Sequence, residues 1–209
     1  MPIMKTLQLR IFSAILLASL ALARFSSAAE TKDDGQWKSL FNGKDLTGWT
    51  PVNDCIFTVT NDNLHLVKSM GWLRTENEYT NFVLEAEWRA LEPKYNSGFF
   101  IRAGMEGKPF PTDVWQVNLK ESAVGELLKG STNRVHSVTP PVPLNQWVKF
   151  RMAVRGKKLT LDVDGKRAWE FTELDAAHGY IGLQAEGKVM EFRNVRVQEL
   201  GTSSSPPSQ

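Results

Sequence analysis

A chain of 209 residues with 25 Lys and Arg against 23 Asp and Glu has a formal charge of only +2, which excludes the basic excess of a nucleic-acid-binding protein. With 42% hydrophobic residues and Cys55 as its single cysteine, it can bury a core unaided, and no intramolecular disulfide can form.

Lys5 and Arg10 precede an apolar run from Ile11 to Ala23, and Ser27-Ala28-Ala29 follows. This order is that of a secretory signal peptide, and the run of about 13 residues is too short to span a bilayer of roughly 30 Å. The expectation is a leader over residues 1–29, cut after Ala29 or one residue earlier. The mature protein is then periplasmic or secreted, with no membrane contact after cleavage. Residues 30–200 fit one domain, and the polar tail 201–209 is expected to be disordered.

From residue 36 the pattern is strands and turns. Cys55 falls at a core or edge position. Apolar and polar residues alternate in "FVLEAEWR" (82–89), "WQVNL" (115–119), "WVKFRMAV" (147–154) and "LTLDV" (159–163), as half-buried strands do. "RGKK" (155–158) and Asp164-Gly165 are hairpin turns. Residues 122–139 show no clear period and are either a strand plus loop or a lid over one face. Many short strands with regular turns imply an all-β, two-sheet sandwich or a barrel.

Alternation also shows which side chains share a face. Trp115, Val117 and Leu119 take the core side, leaving Gln116, Asn118 and Lys120 opposite. Ile181, Leu183 and Ala185 leave Gln184 and Glu186 on the polar side. In "YNSGFFIRA" (95–103) Phe99 and Ile101 take the core, which sends Phe100 and Arg102 outward, with Asn96 and Ser97 at the rim. Amides, a carboxylate and an arginine on one face suit sugar hydroxyls, and so does an ordinary wet sheet face. Glu85 and Glu87, one pleat apart and about 7 Å from each other, are either a carboxylate pair for glycoside hydrolysis or solvated. His136 follows the unpatterned stretch and is either a surface imidazole or a group that reaches the site. No histidine spacing marks a zinc site.

"LFNGKDLTGW" (40–49), "GWLRTENEYTNFVLEAEWR" (71–89), "NSGFFIR" (96–102), the "NQWVKFRMAVRG" and "LDVDGK" segments, and "GYIGLQAEGKVMEFRNVRVQEL" (179–200) together resemble the 3-keto-disaccharide hydrolase family. The resemblance implies a concanavalin A-like, two-sheet antiparallel jelly roll, all-β, that cleaves saccharides already oxidised at C3. A ketone at C3 acidifies the C2 proton; a base removes it, the enolate expels the C1 substituent, and water adds to the enone. This needs a base, a donor for the enolate oxygen and an acid for the leaving group. The family strand Tyr-Glu-x-Gln-Ile-x-Asp reads "WQVNLKE" (115–121) here, so its first carboxylate is Gln116. The His common after Leu-Gln-Asp is Glu186. If catalysis persists, Glu121, Glu126 or Glu186 supplies the base and Arg102 or Arg193 the electrophilic contact, unless Arg193-Asn194 locks a strand bulge instead. Asn96, Gln116, Asn118, Gln184, Arg193 and His136 are the candidate substrate contacts. The replacement of the family's carboxylate by Gln116 and of its histidine by Glu186 equally suits a non-catalytic glycan-binding module. The resemblance further implies an oxidised (3-keto) disaccharide or glycoside as ligand and an upstream sugar 3-dehydrogenase that makes the ketone. It fixes no cofactor and leaves a divalent metal open.

Overall fold

The computed structural model describes residues 35–67, 69–137 and 139–201. The expected leader, its cleavage site and the tail beyond residue 201 lie outside them.

Fifteen strands occur among the described residues: β1 (Trp37–Ser39), β2 (Trp49–Asp54), β3 (Phe57–Thr60), β4 (Asn63–Leu66), β5 (Met70–Tyr79), β6 (Phe82–Ala90), β7 (Gly98–Ala103), β8 (Trp115–Lys120), β9 (Ala123–Lys129), β10 (Thr132–Val135), β11 (Val148–Arg155), β12 (Lys158–Val163), β13 (Lys166–Phe171), β14 (Gly179–Glu186) and β15 (Met190–Glu199). They form an eight-stranded sheet, β13-β12-β11-β6-β15-β4-β3 with β1 also on β15, and a seven-stranded sheet, β10-β9-β8-β7-β14-β5-β2. Adjacent strands run antiparallel in both. No described residue is α-helical.

The alternation that marks the strands also builds the core. Along β11 buried and part-exposed residues alternate without a break, and Phe82, Leu84, Phe99, Val117, Phe150 and Ile181 are all fully buried between the sheets. Phe99 of the seven-stranded sheet meets two rings of the other sheet, Phe150 at 6.1 Å and Phe192 at 5.9 Å between centroids. Burial of large side chains in this way, at ~25 cal/mol per Å² of apolar surface, is the main stabilising contribution.

The turns follow their sequences. Asp164 and Gly165 take φ of 48° and 79°, the left-handed pair that a two-residue hairpin requires. In "LFNGKDLTGW" Asn42 Oδ1 accepts from the amides of Lys44 and Asp45, and Asp45 Oδ1 from the amide of Thr47, so this stretch is a side-chain-capped turn. Residues 122–139, ambiguous by period, contribute β9 and β10, paired at the edge of the seven-stranded sheet. Their alternation is broken by Gly125 at φ 79° and by register shifts on both sides of β9.

Candidate functional site

The outer face of the seven-stranded sheet is polar at one end. Gln116, Asn118 and Gln184 are each at most 6% exposed, an unusual degree of burial for carboxamides. β8 and β14 lie on either side of β7, with Gly98 opposite Asn118 and Phe100 opposite both Gln116 and Gly182. Because Gly98 has no side chain, Gln116 can lie across β7: a methyl group on Gly98 would be 2.4 Å from Gln116 Nε2. Gln116 Nε2 donates to Gln184 Oε1 at 2.8 Å, and Gln184 Nε2 donates to Glu186 Oε2 at 2.8 Å. Asn118 Oδ1 and Ser97 O each lie 3.4 Å from Gln116 Nε2. Ser97 Oγ donates to the Gln184 carbonyl at 2.7 Å, and Asn96 forms a backbone bridge to Glu186. The structure therefore brings Asn96, Gln116, Asn118, Gln184 and Glu186 together, with Ser97 beneath them.

Glu126 and His136 flank this row. Leu128 is paired with Gln116, so Glu126, two residues before Leu128, faces the same way. Its side chain is 18% exposed and lies 3.9 Å from Nδ1 of His136, itself 88% exposed. Glu121 sits elsewhere, at the β8 terminus, where its Oε2 accepts from the amide of Lys94 at 3.1 Å. The Glu121 amide also donates to the Tyr95 carbonyl at 3.1 Å, which places Glu121 beside Tyr95, and burial and, second, the Glu121 charge push the Tyr95 hydroxyl up to about 12.

Arg102 departs from the sequence expectation. Phe100 pairs with Gly182 and Ala103 with Tyr180, so Ile101 and Arg102 together oppose Ile181. This is a β-bulge, with Arg102 at φ 49°. The extra residue puts Ala103, not Arg102, on the face shared with Phe100. The guanidinium instead donates from Nε to Thr80 O at 2.6 Å and from Nη1 to Gly156 O at 2.8 Å and Ala176 O at 2.6 Å, with Nη2 bonded to Thr80 O and 3.3 Å from Asn81 Oδ1. It joins three loops, and burial pushes its pKa below the ordinary arginine value. Arg193 is also away from the amides. It lies on β15 in the eight-stranded sheet, at a register shift where Asn194 has φ 51°. Arg193 Nε and Asn194 Nδ2 both donate to Glu87, at 2.7 and 2.9 Å, and the guanidinium stacks on Trp147 at 4.0 Å.

Trp72 and Arg74, opposite Gln184 and Gly182, share the amide face, a placement that alternation around the core residue Leu73 signals. Trp72, Phe100, Ala103 and Val114 form a second apolar cluster, with Val52, Phe110 and Tyr180 packed against it. Phe110 comes from the loop joining β7 to β8, and its ring lies 6.1 Å from Phe100. Gly182 makes room here, since a methyl group on it would be 2.6 Å from the Trp72 ring. Arg74 stacks on Tyr180 at 4.4 Å. One end of the face is thus closed by apolar side chains and the other presents amides.

A cleft of about 440 Å³ on the eight-stranded sheet is lined by Trp37, Glu85, Glu87, Lys149, Asn194 and Arg196, among others. Burial raises the pKa of Glu85, but hydrogen bonds and charge from Lys149 and Arg196 outweigh it and leave the net value lowered. Glu87 follows the same balance, with Asn194 and Arg193 as partners. Two carboxylates held ionised offer no protonated partner, so they do not fit the acid and base of a conventional glycosidase. Among the described residues no three of His, Cys, Asp and Glu group in a way that could hold a metal ion.

Residues 36–198 match the family described as 3-keto-alpha-glucoside-1,2-lyase-like domain. No curated protein sequence matches the chain. Among solved structures, a candidate glycosyl hydrolase from Parabacteroides distasonis is similar at 20% identity and a TM-score of 0.65, over 81% of this chain and 96% of that one. The carbohydrate binding module CBM66 from Bacillus subtilis is similar at 15% identity and 0.61, over 73% and 96%. The exoplasmic/lumenal domain of VIP36, in a form bound to Ca²⁺ and Man3GlcNAc, is similar at 10% and 0.60, over 82% and 93%. At these identities the likeness is one of fold: an all-β, two-sheet antiparallel jelly roll of the concanavalin A-like kind.

Proposed function

The chain belongs to the 3-keto-alpha-glucoside-1,2-lyase-like family, and from that premise we propose that it binds a saccharide on the outer face of the seven-stranded sheet. One observation carries this reading: Gln116, Gln184 and Glu186 are hydrogen-bonded in a single row, beside Asn118, over a floor bared by Gly98. Ordered amides and a carboxylate match sugar hydroxyls, and a face closed at one end by Trp72, Phe100 and Phe110 suits a short ligand. With the leader read from the sequence, binding takes place in the periplasm or outside the cell. Calorimetric titration with plain and 3-keto disaccharides tests this. Saturable heat with at least one of them supports it, and none with any rejects it.

A second reading, cleavage of a 3-keto-glycoside, is favoured by the Glu186 carboxylate, which Gln184 orients on the amide face. Glu186 takes the C2 proton, and the C2–H electron pair forms the enolate, whose oxygen lies against amide donors. The enolate then collapses to the enone as the C1–O bond breaks, and the leaving oxygen takes up a proton. Neither Arg102 nor Arg193 lies on this face, so the enolate would depend on neutral donors, a weaker arrangement than a fixed cation. Such a substrate would come from a sugar 3-dehydrogenase. Release of 4-nitrophenol from its 3-keto-glucoside, abolished by Glu186→Gln, is the outcome this reading requires. No release above buffer, with and without divalent metal, leaves binding alone.

A further inference from the structure

A carboxylate has no proton to give, so it can only accept. Gln184 must therefore present Nε2 to Glu186, as it does at 2.8 Å, and its Oε1 is turned the other way, toward Gln116. Gln116 must in turn present Nε2, again at 2.8 Å. Asn118 meets that same nitrogen with Oδ1, at 3.4 Å, because the reverse orientation would set donor against donor. The geometry points to Glu186 as the anchor that fixes the polarity of the whole amide row, and to Asn118 Nδ2 as a donor held ready for a ligand oxygen that only accepts, such as a ring ketone.

The orientation of each amide is usually free to reverse when no neighbour decides it. Here the decision is made chiefly at Glu186, through two contacts of 2.8 Å, and passed along, with the Ser97 carbonyl at 3.4 Å from Gln116 Nε2 acting in the same sense. The row leaves Gln116 Oε1 as an acceptor and Asn118 Nδ2 as a donor, and neither bonds to another described residue. A hydroxyl both donates and accepts, whereas a ketone oxygen only accepts and is repelled by an opposing acceptor. Beside Asn118 Nδ2 a ketone finds a donor, while a hydroxyl there must also find a home for its own proton. The row thus distinguishes an oxidised sugar carbon from its parent alcohol through orientation alone. Glu186 acts here as a positioning residue and Asn118 as the residue that reads the ligand.

This inference rests on the saccharide-binding reading above, and two arms keep the two separable. In ligand-free, ¹⁵N-labelled protein, the isosteric change Glu186→Gln should move the side-chain amide resonances of Gln184, Gln116 and Asn118 together. Shifts that stop at Gln184 would overturn the relay. In the second arm, methyl glucoside and its 3-keto derivative are titrated calorimetrically into the native protein and Asn118→Asp. The native protein should favour the ketone at least tenfold, and Asn118→Asp, which puts an acceptor where the donor was, should reverse the preference. An unchanged ratio overturns the role of Asn118. If the native protein binds neither sugar, both the binding reading and the ligand role fail, while the ligand-free arm still decides the relay.

Discussion

Gln116 fills the space that a side chain on Gly98 would need, with its Nε2 at 2.4 Å from where a methyl carbon would sit. The atoms in the way, Nε2, Cδ and Cγ, all belong to the Gln116 side chain, so Gly98→Ala displaces Gln116 rather than the backbone. The variant should lose at least tenfold in saccharide affinity, about 1.4 kcal/mol, while its thermal midpoint stays within about 4 °C of the native value. A matched loss of midpoint and affinity would make Gly98 a stability residue instead.

Arg102 should behave in the opposite way. Its guanidinium satisfies the carbonyls of Thr80, Gly156 and Ala176, and an acceptor left buried and unpaired costs roughly 1–3 kcal/mol. Arg102→Leu is expected to destabilise the fold by about 3 kcal/mol and lower the midpoint by roughly 6–12 °C. Binding per folded molecule should be unchanged, since the side chain lies away from the amide row. Thermal scans combined with calorimetry on the folded fraction measure both quantities.

These two residues show how far the sequence could be read. Period-2 alternation assigned Gln116, Asn118, Gln184 and Glu186 to one face correctly, because β8 and β14 run unbroken through those positions. It failed at Arg102 because the extra residue opposite Ile181 depends on pairing with a distant strand, and no local residue type announces it. Arg193 failed for a different reason. Its place follows from β15 joining the eight-stranded sheet, a matter of topology that alternation within a strand does not reach. Gly98 stood in the motif "NSGFFIR", but only the approach of Gln116 shows why a glycine is needed there.

Glu85 gives a pH prediction. Its folded pKa is lowered on balance, so it binds protons less readily in the native state than in the unfolded chain, where its ordinary value is 4.5. Its contribution to stability is therefore complete above the unfolded value and is lost as pH falls through the folded one. The midpoint of the native protein should fall more steeply below about pH 4.5 than that of Glu85→Gln, with saccharide binding at neutral pH equal in the two. Parallel midpoint curves would show that the ion pairs with Lys149 and Arg196 add nothing on balance.

Cys55 is buried, and that burial pushes its thiol up to about 12. Little thiolate exists near neutral pH, and the thiolate is the reactive form. A thiol-specific chromogenic reagent should label the native protein slowly and the denatured protein at once. Rapid labelling of the folded state would contradict the burial of Cys55.

A crystal structure of the protein soaked with a 3-keto disaccharide measures directly where the sugar sits. The ligand should lie over Gln116, Asn118, Gln184 and Glu186, with its C3 ketone oxygen within hydrogen-bond distance of Asn118 Nδ2. Density for the ligand in the cleft of Trp37, Glu85 and Arg196, with the amide row left bare, would contradict it.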